Sequence, residues 1–360
     1  MNGTKKTLSE IVAELERQKQ TRKDIIVPSS QLNLSVDLGT KTFFMNVPEP
    51  GELGYQVGQY GITDFAHTQI ATKCGIPQAY YDKMRTERPD LLPVNVNSWF
   101  PDKEKRFIRI LDGKVRAILS TRYRVIDNYQ MVDLVLENLN RVQNMGMKVE
   151  IGDCYLTEEH LYLKITSPDL TGEIFHFKER KDEPVRGGVI ISNSEVGSGA
   201  FKVEPFVEVL VCKNGLIGEH KINKIHLGKE RGLGLVDWSE KTLELQDNAL
   251  ISEVEDLIKA TFNKAIFNEW LNRINQVASI EIARPTVAVE NIIKKYVLPK
   301  TVRDDLINQF TKESPTVWGL SMAVTRLAQE QKSIEERIRW ERIGSKILEK
   351  GEEYLTVTAQ

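Results

Sequence analysis

The run Phe107-Ile108-Arg109-Ile110-Leu111-Asp112-Gly113-Lys114-Val115-Arg116-Ala117-Ile118-Leu119-Ser120 decides the fold class. Asp-Gly between two β-prone runs predicts a tight hairpin, because both central turn residues need positive φ. Arg109 and Arg116 alternate with apolar neighbours, so one hairpin face is predicted to be cationic and the other apolar. Met131, Leu134, Val135, Asn138, Leu139 and Val142 follow at helical spacing and close near Gly146. Strands are expected over residues 147–155 and 160–166. The unit reads strand-strand-helix-strand-strand.

Toward the N-terminus, Thr63 suits the N-cap of a helix through Thr72, and a second helix runs to about Arg88. Residues 25–47 alternate loosely and read as a strand pair. Leu8, Ile11, Val12 and Leu15 mark a short amphipathic helix, read as a detachable arm over residues 1–24. Toward the C-terminus, the runs Gly188 to Asn193 and Phe201 to Cys212 are joined by Ser194-Glu195-Val196-Gly197-Ser198-Gly199. They are expected to extend the same sheet. After Trp238 the period changes: Leu250, Val254, Leu257, Ile258, Phe262, Ile266, Trp270, Ile274 and Val277 predict one long helix with a buried face. Further helices are expected after Pro285, after Thr301, after Ser314 (with Ser314-Pro315 as N-cap and N1) and from Ser333 to Lys350. The expected architecture is α+β: a mixed or antiparallel sheet within residues 25–236, then an all-helical region over 237–360.

The chain has 360 residues, 41% hydrophobic and 28% charged, which fits a soluble globular protein with a substantial core. No run approaches the ~18 to 20 apolar residues that span a bilayer. The first residues lack a signal-peptide core, and Cys74, Cys154 and Cys212 show no CxxC spacing, so a cytoplasmic protein is expected. A net charge of -2 conceals polarity along the chain. Between Asp102 and Arg124 cations outnumber acids eight to three, whereas from Asp237 to Asp256 acids outnumber cations seven to one.

Chemistry-bearing spacings are sparse. The five histidines form no metal-ligand pattern. Gly197-Ser198-Gly199 completes neither a phosphate loop, a dinucleotide fingerprint nor a nucleophile elbow, and reads as a flexible connector. Asp169 with Glu179 and Lys181 could hold a divalent metal for nucleic-acid cleavage, although Lys178 to Glu183 reads as a solvated charge run. No catalytic residue, cofactor or metal is expected.

The best-supported chemistry is binding of single-stranded DNA or RNA. The hairpin runs into Thr121-Arg122-Tyr123-Arg124, which mixes cations for phosphates with an aromatic face for a base. Arg109, Arg116, Arg122 and Arg124 are the expected phosphate contacts and Tyr123 the stacking residue, with Lys202 and Lys213 as secondary contacts. The alternative is that Arg109 and Arg116 lie on a solvated sheet face and pair with acids. Trp99 and Phe100 read as core residues.

Four stretches carry a family likeness: Leu119 to Asp127, Asn193-Ser194-Glu195-Val196-Gly197, Cys212-Lys213-Asn214-Gly215-Leu216 and Ser314 to Gly319. They resemble the signature of a phage- and plasmid-like family catalogued as a domain of unknown function. The resemblance implies a mobile-element origin and genes of DNA metabolism as neighbours; it implies no reaction. The element order is also similar to that of phage single-strand annealing proteins. Together these point to a non-enzymatic single-stranded DNA-binding protein of phage or plasmid recombination, annealing or replication. The runner-up is a host-interaction or anti-defence protein that binds a protein or small molecule, its acidic segment suiting a partner that normally holds nucleic acid. A metal-dependent nuclease comes third. A homo-oligomer is expected from the N-terminal apolar stripe and from Trp270, Trp318 and Trp340, and no membrane partner is.

Overall fold

A computed structural model of the chain describes residues 5–51, 54–100, 104–175, 183–210, 214–217, 222–224, 240–331 and 333–349. The first elements are β1 (Lys5–Lys6), α1 (Leu8–Thr21), β2 (Lys23–Pro28), β3 (Asn33–Asp37), β4 (Thr42–Gly51) and β5 (Gly54–Ile62). Then come α2 (Asp64–Lys73), α3 (Gln78–Glu87), α4 (Leu91–Trp99), β6 (Lys105–Leu111), β7 (Lys114–Ser120) and α5 (Asn128–Asn144). Strands β8 (Glu150–Leu156), β9 (Leu161–Ile174), β10 (Glu183–Asn193), β11 (Phe201–Val209), β12 (Asn214–Ile217) and β13 (Ile222–Lys224) follow. The chain continues with α6 (Glu240–Thr261), α7 (Lys264–Ala278), α8 (Pro285–Tyr296), α9 (Arg303–Phe310), α10 (Val317–Gln329) and α11 (Ile334–Glu349). The fold is α+β, with helices concentrated toward the C-terminus.

The Asp112-Gly113 hairpin forms as its sequence requires, with φ of 50° and 71° at the two turn residues. The strand-strand-helix-strand-strand order is present as β6-β7-α5-β8-β9, but its two hairpins belong to different sheets. One sheet has the order β2-β6-β7-β5-β4-β3 and is mixed, since β5 and β7 run parallel. The other has the order β1-β8-β9-β10-β11-β12, with β13 also paired to β11, and is antiparallel. The strands beyond Gly187 therefore extend the second sheet only. Helix α5 is the crossover between the two.

Each sheet has its own apolar core. Helices α2, α3 and α4 cover the mixed sheet, burying Ile70, Tyr81, Leu92 and Val96 against Met45, Ile108 and Ile110. The antiparallel sheet packs against α1, α5 and the C-terminal helices, in a core running from Ile11 and Val135 through Val189 and Val207 to Trp318. The N-terminal helix is thus seated, not detached: Ile11 is fully buried and Leu15 nearly so. Its start carries a capping box, in which Thr7 and Glu10 satisfy each other's backbone N–H.

The apolar period from Leu250 to Val277 belongs to two helices. Asn263 interrupts it, its side chain accepting hydrogen bonds from the N–H groups of Ala265 and Ile266. Near the C-terminus the N-cap of α10 is Thr316, two residues beyond Ser314, and its hydroxyl accepts from Gly319 N–H.

Candidate functional site

The predicted cationic face of the hairpin exists, and it is buried. Phe107 and Arg109 point away from the core that holds Ile108 and Ile110, toward the segment joining β10 to β11. Arg109 has no solvent exposure. Its Nε and Nη2 donate to the Asp24 carboxylate at 3.0 Å, Nη2 also donates to Asp127 at 2.8 Å, and Nη1 donates to the carbonyl of Glu195 at 3.1 Å. Arg22 closes the far side of Asp127 at 2.6 Å. Burial pushes the Asp127 carboxyl up, but the hydrogen bond and charge of Arg109, helped by Arg22, outweigh this and hold it below the usual carboxylate range.

Arg116 is buried as well, donating to Glu195 Oε2 at 2.8 Å. The other carboxylate oxygen of Glu195 accepts the N–H of Asn128 at the start of α5. Asn193 donates to the carbonyl of Ile126 and to the side chain of Asn128, and the Tyr123 hydroxyl donates to the carbonyl of Ser194. Tyr123 also stacks on Phe107, with ring centroids 6.5 Å apart. Two of the family-like stretches, Leu119 to Asp127 and Asn193 to Gly197, therefore meet in one polar junction between the sheets.

This corrects two of the expected nucleic-acid contacts: Arg109 and Arg116 are buried and neutralise acids from other segments. Tyr123 is half-buried, with Phe107 stacked on its ring. The sequence reading foresaw acid pairing as an alternative but placed it on a solvated face. Arg122 is exposed, and Arg124 and Lys202 are half-buried. Lys213 lies outside the described residues. Trp99, expected in the core, is 69% exposed, while Phe100 is buried as expected.

Of the three nuclease candidates only Asp169 is among the described residues. Asp169 accepts the backbone N–H of Lys148 at 2.7 Å, and Glu179 and Lys181 lie outside the described residues. Among the described residues no cluster of metal-ligating side chains occurs. No described helix is long and apolar enough to cross a membrane.

A second feature was not legible as a site. A groove of about 770 Å³ opens between α6, α7, the end of α11 and the antiparallel sheet. Ile266, Phe267, Trp270, Ile274, Val277 and Leu348 form its apolar wall, with Leu216 and Pro205 contributed by the sheet. Ile266 is 47% exposed and Trp270 half-buried, while Phe267, Ile274 and Leu348 are buried, so the groove opens to solvent at Ile266 and Trp270 above a buried floor. Among the described residues that line it, Glu253, Asp256, Glu269 and Glu349 stand against one cation, Arg273, which pairs with Glu269. In the sequence these apolar residues share the helical period of true core positions. The acids at 253 and 256, within the predicted acidic segment, were the available signal.

No family model, curated protein or solved structure matches the chain.

Proposed function

We propose that this is a binding protein whose groove takes the apolar face of a basic amphipathic segment of a partner protein. The observation that carries this reading is the groove itself, apolar on its floor, open at Ile266 and Trp270, and set among predominantly acidic described residues. An amphipathic helix needs an apolar floor for one face and opposite charge at the edges. Such segments are common in proteins that handle nucleic acid, which agrees with the partner inferred from the acidic sequence and with a mobile-element protein acting on its host.

Fluorescence anisotropy with a labelled Lys/Leu amphipathic peptide, against a Glu/Leu peptide of the same pattern, tests the proposal. The basic peptide should bind more tightly, and Ile266→Glu and Trp270→Ala should each weaken it at least tenfold. Equal affinity for both peptides, or affinity unchanged by both substitutions, would refute it. Single-stranded DNA binding is the second reading, resting now on exposed Arg122 with Arg124 and Lys202. A labelled oligonucleotide in the same assay tests it: Arg122→Ala should weaken binding and flatten its salt dependence by roughly 0.7 per lost phosphate contact. Assembly into a homo-oligomer would line up those residues from several copies, and light scattering with the oligonucleotide present reports it.

A further inference from the structure

Where the end of α8 meets one face of α11, the exposed residues include Lys294, Lys295, Lys300, Arg339 and Lys346. Tyr296 is their hub. The Lys295 and Lys346 ammonium groups each stand 5.9 Å from the centre of its ring, and Arg339 Nη2 donates to its carbonyl at 3.2 Å. We propose that this surface binds the phosphate backbone of a single-stranded nucleic acid.

Most of these charges have no counter-ion in the protein. Among the described residues no carboxylate pairs with Lys294, Lys300, Arg339 or Lys346, although Glu336 and Glu349 lie one turn from Arg339 and Lys346 on α11. The neighbouring Arg303, by contrast, is taken up by Glu290 and Asp304. A helix C-terminus attracts cations through its own dipole, which accounts for Lys294 and Lys295 in the last turn of α8. It does not account for Lys300, beyond the helix, or for Lys346, which arrives from α11. In a chain of net charge -2 this cationic field is a local exception, and it is the field that a polyanion needs.

Val297 lies between the lysines along the chain. It ends α8 with φ of 51° and ψ of 50°, the left-handed region that a β-branched side chain rarely enters. Glycine would hold this position without strain. Instead a valine side chain is presented there, 82% exposed, more than any other large apolar side chain among the described residues. The strained residue sets an apolar knob among the cations, with Tyr296 half-buried beside it.

A single strand suits such a surface. Its phosphates meet the cations while an unstacked base or sugar covers the apolar centre. A duplex keeps its bases inside and would leave Val297 against water. The proposal rests on the single-strand reading but places the contact on the C-terminal helices, away from Arg122. Helix α11 also walls the groove through Ser345, Leu348 and Glu349, so its two sides would face a basic partner segment and a nucleic acid.

Fluorescence anisotropy of the full chain with labelled oligothymidylate, over a range of salt, tests this. Lys294→Gln, Lys300→Gln and Lys346→Gln combined should weaken binding about tenfold or more. The salt slope should fall by about 2, at roughly 0.7 per lost phosphate contact. All three positions are exposed, so Tm should stay within about 2 °C of the wild type. Val297→Gly removes the knob and the strain together: it should weaken binding severalfold without lowering Tm, a split that a merely structural residue would not give. Affinity unchanged in the triple variant, or tighter binding of a duplex of the same length or of a poly-glutamate peptide, would overturn the proposal. Weakening by Arg122→Ala with the triple variant unchanged would overturn the placement and leave the single-strand reading standing. No binding by the wild type at low salt would overturn both.

Discussion

Replacing Arg109 with methionine separates a structural charge from a nucleic-acid contact. The substitution keeps most of the side chain's volume and removes the guanidinium from Asp24, Asp127 and the Glu195 carbonyl. Removing one partner of a buried ion pair costs about 3–5 kcal/mol, because the remaining charge stays desolvated without compensation. Unfolding entropy near 60 °C is about 2.1 cal/mol/K per residue, so for 360 residues each kcal/mol lowers Tm by about 1.3 °C. Arg109→Met should therefore melt about 4–7 °C lower by calorimetry. A second substitution, Asp127→Asn, should cost less in that background than alone, since both members of one pair are then gone. Arg122→Met, at an exposed position, should shift Tm by less than about 1 °C. If Arg109→Met melts within 1 °C of the wild type, the junction does not hold the sheets as described. Weaker oligonucleotide binding with an unchanged Tm would return Arg109 to the nucleic-acid reading.

Burial holds the His67 ring, hydrogen-bonded to the Tyr81 hydroxyl at 2.8 Å, down at about 3. The unfolded chain takes up that proton below its ordinary 6.5, so stability is full above 6.5 and falls as pH drops toward 3, by about 2 kcal/mol at pH 5. Urea midpoints at pH 7 and pH 5 measure this, and His67→Gln should flatten the difference. Asn263→Ala should destabilise by about 1 kcal/mol through loss of the α7 cap, read in the same titration. A Cβ at Gly188 would run into the Ile165 carbonyl oxygen and press on Phe206, so Gly188→Ala should lose about 1–3 kcal/mol, with the urea midpoint as readout.

The hairpin at Asp112-Gly113 was legible because a two-residue turn is a local decision. The division into two sheets was not, since alternation says which face of a strand is apolar but not which strand lies beside it. The partners of the hairpin arginines were hidden for the same reason: Asp24 is 85 residues from Arg109, and Glu195 is 79 from Arg116. Arg109 showed only that a charge alternates with apolar neighbours, a pattern shared by a wet face and by a buried one with distant counter-ions. The break at Asn263 escaped because hydrophobic spacing continues across it, and a capping asparagine looks like any other polar residue on the exposed side. The site candidates suffered most. Leu216, Trp270 and Leu348 line one groove only through tertiary packing, and no spacing along the chain encodes it.

The junction around Arg109 also limits how the molecule can be taken apart. Apolar layers can slide by a residue and still find contacts, whereas a guanidinium forked between two carboxylates and a carbonyl has one satisfactory position. Cutting the chain between β7 and Asp127 would send Asp24, Arg109 and Arg116 into one fragment, and Asp127 and Glu195 into the other. Each piece would expose uncompensated charge beside bare hydrophobic surface. The two halves are therefore expected to be insoluble when produced separately and to regain solubility when produced together. Dissection of this protein is better done by complementation than by isolating domains.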